Sequence, residues 1–327
     1  MIRLLILGQP YWSNRFAALA ARIPGGAEAR FLAPREVFTR EGRAWVRQAD
    51  VFLRMGYRPG APTWRGRAFD ALWALLRRLN PRARAAHYWI GTDVLNTLED
   101  FRAGTLRKGP LARSRADLHW ADAPWLVDEL REVGLESRYI ALPVPLEDVS
   151  VPERLPEPFT VLTYIPDGRA EFYDGPSLLQ AARALPDVRF EVIGGTGTWV
   201  EQPPPNLSFH GWQVDVRPFL ERATVVVRLV RHDGMGGTVR EALQAGRIVL
   251  YSHPMPCVTR VPFQDPAALT AELASLRDRF RRGELAPNAE GHAYVLATFD
   301  LATCLDAYRR DLDHLLGRTQ AAAGTRP

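Results

Sequence analysis

The chain has 327 residues, 46% hydrophobic and 24% charged, which is the balance of a globular protein with length for two domains of ordinary size. No apolar run reaches the length of a membrane span, and the opening MIRLLILGQPYW is too short and lacks the cleavage pattern of a secretory signal. Two cysteines, Cys257 and Cys304, have no motif spacing, so a reducing, cytoplasmic setting is expected. The net charge of +5 is uneven. Residues 1–150 hold 23 basic and 16 acidic residues, a balance of +7, and the remainder holds 19 and 21, a balance of −2. A positive half points to an anionic partner there, such as the inner membrane surface or a phosphorylated acceptor; an arginine-rich solvated surface is an equal alternative. Zinc, helix-turn-helix and RNA-recognition signatures are missing, which argues against nucleic acid.

Short apolar runs alternate with amphipathic stretches, the pattern of parallel α/β architecture. In the first half, strands are expected at 2–7, 29–32, 51–53, 86–90, 118–120 and 139–142, and helices at 15–23, 36–48, 67–79 and 124–133. Five prolines between Pro143 and Pro158 read as a linker. A second series places strands at 160–164, 189–193, 207–209, 224–230 and 248–251, with helices at 175–185, 216–222, 238–245 and 266–282. Helical segments at 290–298 and 301–316 precede a small-residue tail. The expected fold is therefore two Rossmann-like domains facing each other across a cleft. Their bounds are 1–145, a linker at 146–158, a second domain at 159–300, and a C-terminal helix and tail at 301–327 that can return to the first domain. In such sheets ligands bind at the carboxyl ends of the strands.

The segment VVVRLVRHDGMGGTVREALQAGRIV (225–249) carries the most chemistry. A strand runs into Arg231-His232-Asp233, and Gly234, Gly236 and Gly237 open a helix bearing Glu241. A helix N-terminus offers free amides and partial positive charge, and glycines let a phosphate approach. Asp233 and Glu241, eight apart, could flank a bound sugar nucleotide. Read structurally, Asp233 is a turn or capping residue and Glu241 a solvated helix glutamate.

In order, FTVLTYIPDGR (159–169), FEVIGG (190–195), NLSFHGW (206–212), ERATVVV (221–227) and DGMGGTVREALQAGRIVLYS (233–252) resemble the nucleotide-sugar domain of GT-B glycosyltransferases. The resemblance is to the large retaining group called family 4. It covers 159–252 well and the first half only loosely, through strand order and HYWIGTD. That group has two glutamates separated by seven residues; here Asp233 replaces the first. The resemblance implies that Asp233 lies near the donor sugar, that Glu241 binds ribose, and that transfer proceeds with retention. It also implies an arginine and a lysine for the donor phosphates. Arg169 matches the arginine, while Tyr173 or Asp174 stands where the lysine would fall. Arg228 and Arg231 are substitutes for that cation, although an arginine on an apolar strand also fits a structural pair. Trp212 falls where the group reads the nucleobase, and its side chain reads as a core aromatic.

Other loops are weaker. Gly194-Gly195-Thr196-Gly197 lacks the spacing of a dinucleotide fingerprint and suits a tight turn facing the cleft. His232 can touch phosphate or sugar, or serve no ligand. In HYWIGTDVL (87–95), Asp93 reads either as an acceptor-side carboxylate at the cleft mouth or as a helix cap. His87 reads as half-buried, and Asp122 with Pro124 as a cap and first-turn proline. The stretch 63–85 interleaves six arginines with Trp64, Phe69, Leu72, Trp73, Leu75, Leu76 and Leu79. A helix packed on the sheet is the stronger reading, and a basic amphipathic helix on an anionic membrane the weaker.

Histidines and carboxylates do not cluster at metal spacings, and no P-loop or nucleophile elbow occurs. The expected function is a metal-independent glycosyltransferase of cell-surface glycan synthesis. No cofactor is expected. It would use a nucleotide-sugar donor held by Arg169, Arg231, His232, Gly195, Trp212, Gly236, Gly237, Thr238 and Glu241. The acceptor is a sugar, lipid-linked or small molecule. Alternatives are a non-catalytic nucleotide-sugar binder and a sugar-nucleotide epimerase on the same fold. A NAD-dependent oxidoreductase is disfavoured, because no glycine fingerprint follows Leu7.

Overall fold

The computed structural model describes residues 1–106, 116–142 and 149–318, so part of the expected linker and the final tail lie outside the described residues. The chain forms two compact units, Met1–Val144 with Leu301–Pro327, and Pro145–Asp300.

The first unit runs β1 (Ile2–Gly8), α1 (Pro10–Ala20), β2 (Ala27–Phe31), α2 (Arg40–Gln48), β3 (Val51–Met55), α3 (Trp64–Leu79), β4 (Arg84–Trp89), α4 (Thr92–Arg102), β5 (Leu118–Ala121), α5 (Pro124–Glu132) and β6 (Arg138–Tyr139). Its parallel sheet has the order β2-β1-β3-β4-β5-β6. Alternation along β1 explains why its run Leu4–Leu7 is apolar throughout. Ile2, Leu4 and Ile6 join one core with Phe16 and Tyr88, while Leu5 and Leu7 join another with Trp73 and Leu76. Successive side chains point to opposite faces, and helices cover both. The helix expected over 36–48 is interrupted. Thr39 adopts an extended backbone and its hydroxyl accepts the Gly42 N–H (3.0 Å), starting α2 afresh at Arg40. Asp122 is not a cap either. It is buried and accepts hydrogen bonds from the Tyr88 hydroxyl (3.1 Å) and the Leu142 N–H (2.6 Å). Pro124 does open α5.

The second unit runs β7 (Thr160–Tyr164), α6 (Gly175–Ala184), β8 (Arg189–Ile193), β9 (Leu207–Phe209), α7 (Arg217–Arg222), β10 (Val225–Arg228), α8 (Gly237–Gln244), β11 (Ile248–Tyr251), β12 (Thr259–Arg260), α9 (Pro266–Arg281) and α10 (Ala289–Thr298). The parallel sheet has the order β12-β11-β10-β7-β8-β9. Val161, Phe190, Val192, Val225, Val227 and Leu250 pack with Leu178 and Ala181 of α6 and Leu269 and Leu273 of α9. β10 stops two residues earlier than its apolar run, because the Val230 N–H is taken by the Ser252 hydroxyl (3.1 Å) rather than by a neighbouring strand.

The last helix, α11 (Leu301–Leu315), belongs to the first unit. Leu305, Tyr308 and Leu312 lie in the core of Ile2, Leu4 and Phe16. Tyr308 meets Trp120 edge-on at 5.0 Å and donates to the Ala141 carbonyl (3.1 Å), and the Trp120 indole donates to Asp311 (2.8 Å).

Candidate functional site

Strand order in the second sheet reverses at β7: β8 and β9 extend one way, β10 to β12 the other. Loops at the carboxyl ends of β7 and β10 therefore flank the switch point, where open parallel sheets bind ligands. Arg169 leaves β7 in one loop, and Arg231, His232 and Asp233 leave β10 in the other.

The two loops are tied together. The Arg231 N–H donates to the Phe172 carbonyl (2.9 Å). Tyr173 lies between two cations, with the Arg169 guanidinium carbon 5.5 Å from its ring centre and that of Arg228 5.3 Å away. Arg169 also covers Phe172 at 4.2 Å. Arg169 is thus exposed and stacked at the rim of the loop. At the expected lysine position, Asp174 is buried, with φ 49°, and accepts the Gln264 N–H (2.7 Å).

Asp233 is the main departure from expectation. Arg228, whose strand position made it costly unless paired, donates from Nε to Asp233 Oδ2 (2.7 Å) and from Nη2 to Oδ1 (3.0 Å). The Tyr251 hydroxyl adds a third donor to Oδ2 (3.1 Å). Burial disfavours the Arg228 charge, but the carboxylate of Asp233 outweighs it by charge and hydrogen bond, so the guanidinium pKa is raised. Burial, then the Asp233 charge, raises the Tyr251 hydroxyl pKa well above its ordinary value. The carboxylate is thus gripped by its own domain rather than standing open beside the helix.

Gly236 is the N-cap of α8 and has no side chain with which to cap the first-turn amides. A Cβ on Gly236 would lie 3.0 Å from Asp233 Oδ2 and 3.1 Å from Arg228 Nε, so the pair presses on this glycine. At Gly237 a Cβ would meet nothing within 4 Å. Glu241 is four residues on, hence on the same helix face as Gly237, and is partly exposed, whereas Val239, Ala242 and Leu243 are buried. Thr238 is partly exposed beside them. His232 is buried, its ring edge-on to His253 at 6.2 Å.

The turn after β8 is held by Asp167, which sequence reasoning passed over. Its carboxylate accepts the Thr196 N–H and hydroxyl (both 2.8 Å) and the Gly197 N–H (3.1 Å). The Thr196 bonds, backbone then side chain, pull its pKa down to about 2. Gly195 serves this contact: a Cβ there would sit 2.6 Å from the Ile165 carbonyl oxygen. Trp212 is not a core aromatic. It is 66% exposed and stands edge-on to Tyr164, 6.5 Å between ring centres. Tyr164 in turn meets Tyr173 at 5.5 Å, so an aromatic run extends from Trp212 to the Arg169 loop. Tyr164 and Tyr251 lie within the resembling blocks but carry no signal of these contacts, and Tyr173 is marked only by standing near the expected lysine position.

Asp93 belongs to the first unit and is buried, not placed at an open mouth. Its carboxylate reaches back to accept the N–H groups of Ile90 (3.1 Å) and Gly91 (2.9 Å). Burial pushes its pKa up to about 6, against those bonds. His87, fully buried, lies 4.0 Å away and contacts Arg54 (3.2 Å). Burial and the Arg54 charge hold the His87 pKa well below its ordinary value.

Among the described residues, no three His, Cys, Asp or Glu side chains group so as to hold a metal ion, and no helix is long and apolar enough to cross a membrane. No family profile matches the chain, and no curated protein matches it in sequence. Solved structures do match. HepE of Anabaena, in complex with UDP and glucose, is similar over 96% of this chain and 100% of its own, at TM-score 0.68 and 12% identity. Sucrose-phosphate synthase of Thermosynechococcus elongatus is similar over 97% and 100%, at TM-score 0.67 and 13% identity. TarM matches over 80% of this chain at TM-score 0.58 and 10% identity, and the chain spans about half, 54%, of TarM. The likeness is one of fold: two parallel six-stranded α/β units of the GT-B kind.

Proposed function

We propose that the protein is a glycosyltransferase that moves a sugar from a nucleotide-sugar donor to an acceptor, with retention and without a metal ion, in cell-surface glycan or glycoconjugate synthesis. The observation that carries this reading is the helix start at the switch point of the second sheet. An open-sided Gly237 and Glu241 share one face there, beside a loop bearing Arg169. The fold supports it, since HepE has been solved with UDP-glucose.

In this reading the diphosphate lies on the amides of Gly237 and Thr238, its charge met by Arg169 and Arg231. Glu241 accepts from ribose hydroxyls, and the exposed ring of Trp212 stacks on the base. Asp233, fixed by Arg228 and Tyr251, orients the donor sugar as a rigid acceptor. His232 and Gly195 shape the pocket from behind. Asp93, buried in the other unit, is given no contact with either substrate. The acceptor is a sugar, lipid-linked or small molecule, and an anionic membrane surface is the partner assigned to the basic N-terminal half.

The test is product analysis with UDP-, GDP-, ADP- and dTDP-sugars and a panel of acceptors. Acceptor-dependent transfer that persists in EDTA supports the reading, and epimerised donor alone contradicts it. A second reading, a nucleotide-sugar binder without transferase activity, is favoured by the engagement of Asp233 with Arg228. Donor binding with no turnover across the panel would select it.

A further inference from the structure

Helix α3 has two apolar faces. Leu72, Trp73 and Leu76 are buried in the core with Leu5 and Phe52. The opposite side runs Trp64, Ala68, Ala71, Leu75 and Leu79, steps of three and four residues that align on one face. Trp64 is 74% exposed, Leu79 53% and Leu75 37%, and both alanines are exposed. Such a stripe of large apolar side chains marks an interaction surface.

Its borders are cationic. Arg65 lies on one side of the stripe, Arg67 and Arg78 on the other, and all three are exposed. The only acid of the helix, Asp70, turns inward, accepting the Gly60 N–H (2.9 Å) and facing Arg54 at 3.6 Å. The stretch 63–85 therefore presents six arginines against one inward aspartate. An apolar stripe bordered by long cationic side chains, with no outward acid, is complementary to acyl chains beneath anionic headgroups.

We propose that this outer face of α3 docks the protein on an anionic lipid bilayer. Trp64, Leu75 and Leu79 enter the acyl boundary, and Arg65, Arg67 and Arg78 reach the headgroup phosphates. The helix lies in the membrane plane rather than crossing it: its 16 residues include four arginines and one aspartate. The proposal rests on the reading that the basic half faces a membrane, and it names the surface that does so.

The test is co-sedimentation of the full chain with vesicles of phosphatidylcholine alone and of phosphatidylcholine with phosphatidylglycerol. Binding is expected to the anionic vesicles only, and to fall with added salt. Each of Arg65→Gln, Arg67→Gln and Arg78→Gln should weaken it about five-fold, and Trp64→Ser roughly ten-fold. These are surface changes, so melting temperature and nucleotide-sugar binding should stay as in the unaltered chain. Equal binding to neutral vesicles, no vesicle binding, or arginine variants that bind undiminished would overturn the proposal. So would a dimer that Trp64→Ser dissolves, which would make the face a contact between copies. Donor binding in the same samples separates a failure of this proposal from a failure of the nucleotide-sugar reading.

Discussion

Arg228 holds Asp233 with two N–H donors, 2.7 and 3.0 Å from its two carboxylate oxygens, across the end of β10. Both side chains are nearly buried, at 11% and 13% exposure, so neither charge can be removed alone without stranding the other. Arg228→Met should cost about 3 kcal/mol of stability. The double variant Arg228→Met/Asp233→Asn should recover part of that loss. Chemical denaturation of the unaltered chain, Arg228→Met, Asp233→Asn and the double variant checks it; a double variant with the sum of the single losses would contradict the pairing.

Gly237 separates a ligand role from a structural one. A methyl group there meets no protein atom, and alanine is the better helix former, so Gly237→Ala should leave stability unchanged or raise it by about 0.5 kcal/mol. If a diphosphate rests on the amide, the same methyl group stands in its way and donor affinity should fall at least several-fold. Calorimetric titration of both proteins with the preferred donor decides it. Unchanged affinity would remove Gly237 from the site.

The pH dependence of stability should carry the mark of Asp93. Burial raises its folded pKa to about 6, above the value of about 4 expected in the unfolded chain. Between these values the folded chain binds the proton more readily, so this group's contribution becomes less favourable as the pH rises through the window. Asp93→Asn keeps an acceptor for the turn but cannot ionise. Relative to this variant, the unaltered protein should lose about 2 kcal/mol from pH 4 to 6. His87, whose pKa burial and the Arg54 charge hold well below its ordinary value, is present in both proteins and largely cancels from the difference. A flat difference curve would show that the buried carboxylate is not strained.

Trp212 should matter for binding and not for folding. With its ring 66% exposed, Trp212→Ala should change stability by less than about 0.5 kcal/mol. Loss of stacking on a base should lower nucleotide affinity about ten-fold. Matched melting and titration curves test both halves; a large drop in melting temperature would return Trp212 to the core.

Much of the fold was legible because its signals are local. The strands at 160–164, 189–193, 207–209 and 248–251 match the expected bounds to the residue, since each is a short run rich in apolar and β-branched or aromatic residues between helical stretches. The break at Thr39 and the two-residue strand Thr259–Arg260 were not legible. The first depends on one hydroxyl and the second on pairing with Tyr251. The helix start after Gly236, with Glu241 one turn into it, could be read from spacing. The partners of Asp233 could not, because Arg228 and Tyr251 reach it from separate strands. Trp212 was misread for a similar reason: a tryptophan after a strand is usually buried, and only the turn at Gly211 (φ 67°) directs it outward.

Thermal unfolding with and without nucleotide sugars, for the unaltered chain and for Glu241→Ala, tests the donor site most directly. A ligand bound only by the folded state raises the melting temperature. One class of UDP-, GDP-, ADP- or dTDP-sugar should stabilise the unaltered protein, and the same ligand should stabilise Glu241→Ala far less. No shift with any donor, or an equal shift in both proteins, would contradict the assignment of a donor site to the Gly237–Glu241 face.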